Sequence, residues 1–216
     1  MGHVVKRLPW CDIDLDTTLG HIFLQQKWNY SWLRAAGQSA WTAAEKTSFH
    51  NRTDSYIWSA WSNRATLGVV GGSSFSRRHV ASGVSINLDI RRVTAHEHWN
   101  VNVTKIAAGA FARSNVVWNT RIINLDTNDF VTRVNCAGAP RVCRNQIPVA
   151  HEFGHAAGNT VVLGRGDEYP AASAHTNDHA SMMNVGSQLR DRHFQTILDE
   201  LNTMIPDTTF SVRSIR

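Results

Sequence analysis

The chain has 216 residues, 42% hydrophobic and 18% charged, enough for one packed core and free of low-complexity tracts. No run approaches the roughly 18 apolar residues of a membrane span, and the start, Met1-Gly-His-Val-Val-Lys-Arg7, lacks the apolar segment of a signal peptide. A formal charge of +5 favours polyanionic surroundings, but the basic residues are scattered, with short pairs such as Arg77-Arg78 and Arg91-Arg92, and read as solvated surface.

Residues 1–40 mix polar and aromatic side chains with little periodicity and predict no element. Thr42-Ala-Ala-Glu45 has the form of a capping box, in which a hydroxyl and a carboxylate satisfy the first free amides of a helix. Phe49, Ile57, Trp58 and Trp61 then recur at helical spacing, which predicts a long amphipathic helix over 42–64. Val84, Ile86, Leu88 and Ile90 alternate with polar residues, the pattern of a half-buried strand. Trp99, Val101 and Val103 alternate similarly. Val116-Val117-Trp118 and Ile122–Leu125 predict a strand or hairpin ending at Asp126-Thr-Asn-Asp129.

Three cysteines cannot all pair. Cys136 and Cys143 either close their short loop as a disulfide, leaving Cys11 over, or stand as free thiols; a disulfide would point to an oxidising destination. From Gln146 the sequence reads helical as far as Gly158-Asn159, where glycine accepts a left-handed terminator. Residues 160–187 read as an irregular loop. A last helix over about 188–204 is marked by Leu189, Phe194, Ile197, Leu198 and Leu201 and closed by Pro206. The order predicts an α+β single domain over 1–216, with a poorly readable segment over 1–40 and a core over 42–205.

The helix from Gln146 carries His151-Glu152-Phe153-Gly154-His155. Residues four apart share a helix face, so His151 and His155 present two imidazoles to one point, a half-site for zinc. Glu152, beside the first imidazole, can reach a water without ligating the metal, the position of a general base. The flanking Val149, Ala150, Phe153, Ala156 and Ala157 predict a buried segment, where imidazoles and a carboxylate need a partner. A third ligand comes from Gly164-Arg-Gly-Asp-Glu-Tyr169, as either Asp167 or Glu168; His175, Asp178 and His179 rank below them.

His151-Glu-Phe-Gly-His-Ala-Ala-Gly158 resembles the HExxHxxG half of the metzincin signature. The family's third-ligand position falls here on Val161, which cannot bind zinc. The chain is more similar to bacterial relatives that read HEFGHxxG followed closely by GDEY, with about six residues inserted before Gly166. On that resemblance Asp167 takes the third-ligand place and Glu168 stands second. Ser181-Met-Met-Asn184 resembles the family's Met-turn, which implies Met183, ahead of Met182, as an apolar floor beneath the metal. The resemblance implies a zincin-like fold: a twisted, mostly β sheet with a long N-terminal helix, an active-site helix and a C-terminal helix. It implies a sheet edge near 116–125 along which a peptide docks, and a place for His193 near the oxyanion or the substrate.

The whole is also similar to metallopeptidase toxin domains of type VI secretion spike proteins, the VgrG class. That similarity implies an antibacterial effector that needs no signal peptide, acts in a target cell's periplasm and meets an immunity protein. The expected activity is zinc-dependent hydrolysis of a peptide or protein. A zinc amidase acting on peptidoglycan peptides is the alternative. A basic nucleic-acid-binding module with structural zinc is a further one, disfavoured because structural sites fill all four positions and often use cysteine.

Overall fold

The structure is a computed structural model and describes residues 2–216. The unreadable N-terminal segment forms three strands, β1 (His3–Arg7), β2 (Asp12–Asp16) and β3 (His21–Arg34). In β3, Ile22, Leu24 and Trp28 point into the core, while Phe23 on the other row is exposed. Gln26 breaks the apolar row: it is buried, and its Nε2 donates to the Ala156 carbonyl at 2.7 Å. That buried amide, with the aromatics at Tyr30 and Trp32, hides the period of two.

The long helix therefore is not N-terminal. It follows the three strands as α1 (Ala43–Trp61), and its N-terminus carries the capping box: Glu45 N–H donates to Thr42 Oγ1 at 3.2 Å, and Thr42 N–H to Glu45 Oε2 at 2.7 Å. Phe49, Thr53, Ile57 and Trp61 form its buried stripe. Next come β4 (Ala65–Val70), the short α2 (Ser74–His79), β5 (Val84–Val93) and β6 (Trp99–Lys105). The region 116–125 is a hairpin: β7 (Asn115–Val117) and β8 (Ile122–Asp126) flank a 3-10 turn that ends on Arg121 at φ 55°.

One mixed sheet holds nine strands, in the order β11-β4-β5-β3-β6-β8-β7 with the β1–β2 hairpin joined to β3. The β3–β5, β3–β6 and β6–β8 pairs are parallel and the others antiparallel. β4 covers β5 only at Val84 and Ser85. Beyond that the end of α1 takes over: Ser62 Oγ donates to the Leu88 carbonyl at 2.6 Å and accepts Leu88 N–H at 2.8 Å, while Asn63 N–H reaches the Ile86 carbonyl at 2.9 Å.

After β8, a separate hairpin of β9 (Arg133–Ala137) and β10 (Val142–Gln146) sets Cys136 opposite Cys143, and the two form a disulfide. Cys11 is free and buried. Then come α3 (Pro148–Ala156), a long irregular stretch, and α4 (Gln195–Leu201). The last helix is shorter than expected. Asp191–Phe194 is a 3-10 turn, and Asn202 Oδ1 accepts Phe210 N–H at 2.6 Å, which turns the chain into the final strand β11 (Thr209–Ile215).

The helices pack on one face of the sheet. Trp61 joins the layers: it is fully buried, lies edge-on to Phe153 and Phe194, and donates from Nε1 to the Ala150 carbonyl at 3.0 Å. Among the described residues no helix is long and apolar enough to cross a membrane.

Candidate metal centre

Pro148 opens α3, where its fixed φ suits the first turn and its missing N–H is no loss. One turn on, His151 and His155 turn their Nε2 atoms to within 3.2 Å of each other, rings nearly perpendicular at 87°. Each Nδ1 lies against a carbonyl: His151 on Met182 at 2.7 Å, His155 on Asn159 at 2.6 Å. A carbonyl only accepts, so both Nδ1 atoms carry hydrogen. In the neutral rings, both Nε2 lone pairs are left bare and aimed at one point.

Asp167 completes the group. Its Oδ1 lies 3.2 Å from each Nε2. Three lone-pair atoms with 3.2 Å sides are three corners of a tetrahedron whose centre lies about 2.0 Å from each, the distance zinc keeps from imidazole nitrogen and carboxylate oxygen. Oδ1 is buried and has no hydrogen-bond donor, whereas Oδ2 accepts from the Tyr169 hydroxyl at 2.8 Å. The tyrosine thus holds one carboxylate oxygen and turns the other to the ion position. His151, His155 and Asp167 together could hold a metal ion.

The electrostatics agree. Burial pushes the Asp167 carboxyl up, but the two imidazoles override it and hold the group well below the ordinary carboxylate range. Burial pushes His151 down, yet the neighbouring Asp167 and Glu152 carboxylates raise it above an ordinary histidine. The pocket is arranged to hold positive charge.

Glu152 is 8% exposed, and its Oε2 is buried without a hydrogen-bond partner. Burial is the main cause of a raised carboxyl pKa there, opposed by the two histidines. Both the ligand triangle and Glu152 line a cleft of about 510 Å³, together with Phe111, Arg113, Val116, Val161 and Tyr169.

Glu168, the other ligand candidate, faces away. Its carboxylate takes a two-pronged pair from Arg192, Nε at 2.7 Å and Nη2 at 2.8 Å, with His193 Nε2 at 3.4 Å. Asp178 is likewise committed, to Arg190 and Arg192. His193 does not line the cleft. It is 1% exposed, accepts Arg190 N–H on Nδ1 at 3.1 Å and meets Ser181 Oγ at 3.1 Å, so it braces the loop behind the site. Among the described residues, His175, Asp178 and His179 lie outside the ligand set.

Met183 is fully buried under α3. A Cβ at Gly154 would fall 2.5 Å from its Sδ and 3.0 Å from Trp61 Cζ2, so glycine lets the helix settle onto both. Met182 contributes differently, through the carbonyl that orients His151. Gln146 ties the same loop: its Nε2 lies 2.9 Å from the Met182 and Gly186 carbonyls and 3.1 Å from that of Asn184. Gln146 and the Tyr169–Asp167 bond are the parts that sequence reasoning missed. Tyr169 stood in the motif that supplied Asp167, but nothing in the sequence marks a hydroxyl aimed at a carboxylate two residues back.

No protein family, curated protein or solved structure matches the chain.

Proposed function

We propose that this protein is a zinc-dependent peptidase of metzincin-like organisation. The observation that carries the reading is the 3.2 Å triangle of His151 Nε2, His155 Nε2 and Asp167 Oδ1, with an unpartnered carboxylate oxygen beside it in an open cleft. Two imidazoles and one carboxylate, with no cysteine, are the ligand set of a catalytic rather than a structural zinc. When bound, the ion supplies Lewis-acid polarisation of a carbonyl and lowers the pKa of a water toward about 7. Glu152 is placed to take the proton of the attacking water on Oε2 and return it to the leaving amine. The substrate backbone docks along β7, whose outer edge pairs with no strand among the described residues.

The setting is proposed on the same footing. The Cys136–Cys143 disulfide supports action in an oxidising compartment, as a secreted antibacterial effector working in a target periplasm and blocked there by an immunity protein.

The decisive experiment pairs elemental analysis with peptidase assays on the native protein and on Glu152→Ala. The variant should keep one zinc per chain and lose activity by about 10²-fold or more. Full activity in zinc-loaded Glu152→Ala would overturn the mechanism.

A further inference from the structure

Among the described residues, the cleft carries one cation with no hydrogen bond and no ion pair. From Phe111 to Val117 exposure alternates residue by residue: Phe111, Arg113, Asn115 and Val117 are exposed, and the residues between them are half-buried. This is the signature of an extended segment running into β7 with one row of side chains turned outward. Arg113 lies in that row two residues before Asn115, about 7 Å along an extended chain.

Four charged residues besides the two histidine ligands line the cleft: Arg113, Arg133, Glu152 and Asp167. Three have assignments. Asp167 faces the histidines, Glu152 stands beside them, and Arg133 Nη2 lies 3.2 Å from Asp129 and 3.5 Å from Asp126, with its guanidinium over the Phe111 ring at 4.8 Å. Among the described residues Arg113 makes no hydrogen bond and no ion pair. It lines the same cleft as Glu152, Tyr169 and the three ligand candidates. Two arginines against two carboxylates leave the cleft neutral; a divalent ion leaves it two charges positive.

We propose that Arg113 selects substrates bearing a carboxylate close to the scissile bond, so that the preferred substrates are acidic peptides. This rests on the peptidase reading. A peptide strand added to the free edge of β7 places alternate side chains beside the Arg113–Asn115 row, where an opposite charge is the favoured cross-strand neighbour. A glutamate or aspartate side chain and a free C-terminal carboxylate offer the same chemistry.

The test uses zinc-loaded protein and matched fluorogenic peptides with Glu, Gln or Lys at each position around the cleaved bond, each as free acid and as C-terminal amide. At one position kcat/KM should favour Glu over Gln by about twofold to fivefold, the worth of one exposed charge pair. Arg113→Gln should bring that ratio to about one, Arg113→Lys should restore most of it, and Arg113→Glu should turn it in favour of Lys. Loss of the preference on amidation would assign the carboxylate to the chain end; its persistence would assign it to a side chain.

Affinity of the same peptides for zinc-loaded Glu152→Ala, read by fluorescence anisotropy, separates selection from chemistry. Cleavage without an acidic preference, or a Glu-to-Gln ratio unmoved in Arg113→Gln, overturns this inference and leaves the peptidase standing. Arg113-dependent binding of acidic peptides that are never cleaved overturns the peptidase and leaves the selection.

Discussion

Two neighbouring carboxylates, Asp167 and Glu168, do opposite work because the backbone between them turns one to the cleft and the other to Arg192. Asp167→Asn should cost the protein its stoichiometric zinc, measured by elemental analysis after dialysis. Glu168→Gln should keep the metal and lose about 1–3 kcal/mol of unfolding free energy, measured by urea titration, because it leaves a half-buried guanidinium partly unanswered. Tyr169→Phe should weaken zinc binding about tenfold in a competition titration with a chromophoric chelator, the usual cost of losing a group that orients a ligand. The histidine pair was legible in the sequence because a spacing of four puts both rings on one helix face. The choice between Asp167 and Glu168 was not legible. It depends on Arg192, which is distant in sequence and carries no local mark of its partner.

At the level of elements, the loop from Gly158 to Arg190 holds little regular structure and is tied by side chains. The Glu168–Arg192–Asp178–Arg190 chain joins it to the start of the last helical segment. Burial pushes Glu168 up, but Arg192 and His193 pull it down to about 2, against an ordinary 4.5. A carboxylate depressed on folding stabilises the protein above its unfolded pKa and loses that contribution as pH falls through the folded one. Chemical-denaturation midpoints should therefore fall between about pH 4.5 and pH 2, and less so in Glu168→Gln. The capping box and the alternation of β5 and β6 were readable because each is local. β3 was not, since the buried Gln26 occupies a place where an apolar residue would have shown the strand. β11 was hidden for another reason: its outward row of Thr209, Ser211 and Arg213 leaves too few apolar residues to stand out.

Across the whole molecule, the proposed ion joins α3 to the loop that packs on Met183, so its binding energy should appear as folding stability. At free zinc a thousandfold above Kd the protein should gain about 4 kcal/mol over its chelated form, seen as a rise in the thermal midpoint that Asp167→Asn abolishes. The junction at Ser62 bears on the molecule in another way. Its one hydroxyl satisfies both the amide and the carbonyl of Leu88, where β4 has already left β5. When α1 lifts, that stretch becomes a bare ribbon, ready to zip onto the same stretch of another molecule. Heat damage to this protein should thus begin with self-association rather than with loss of α3. Ser62→Ala should clump at a lower temperature in light scattering while its zinc remains in place.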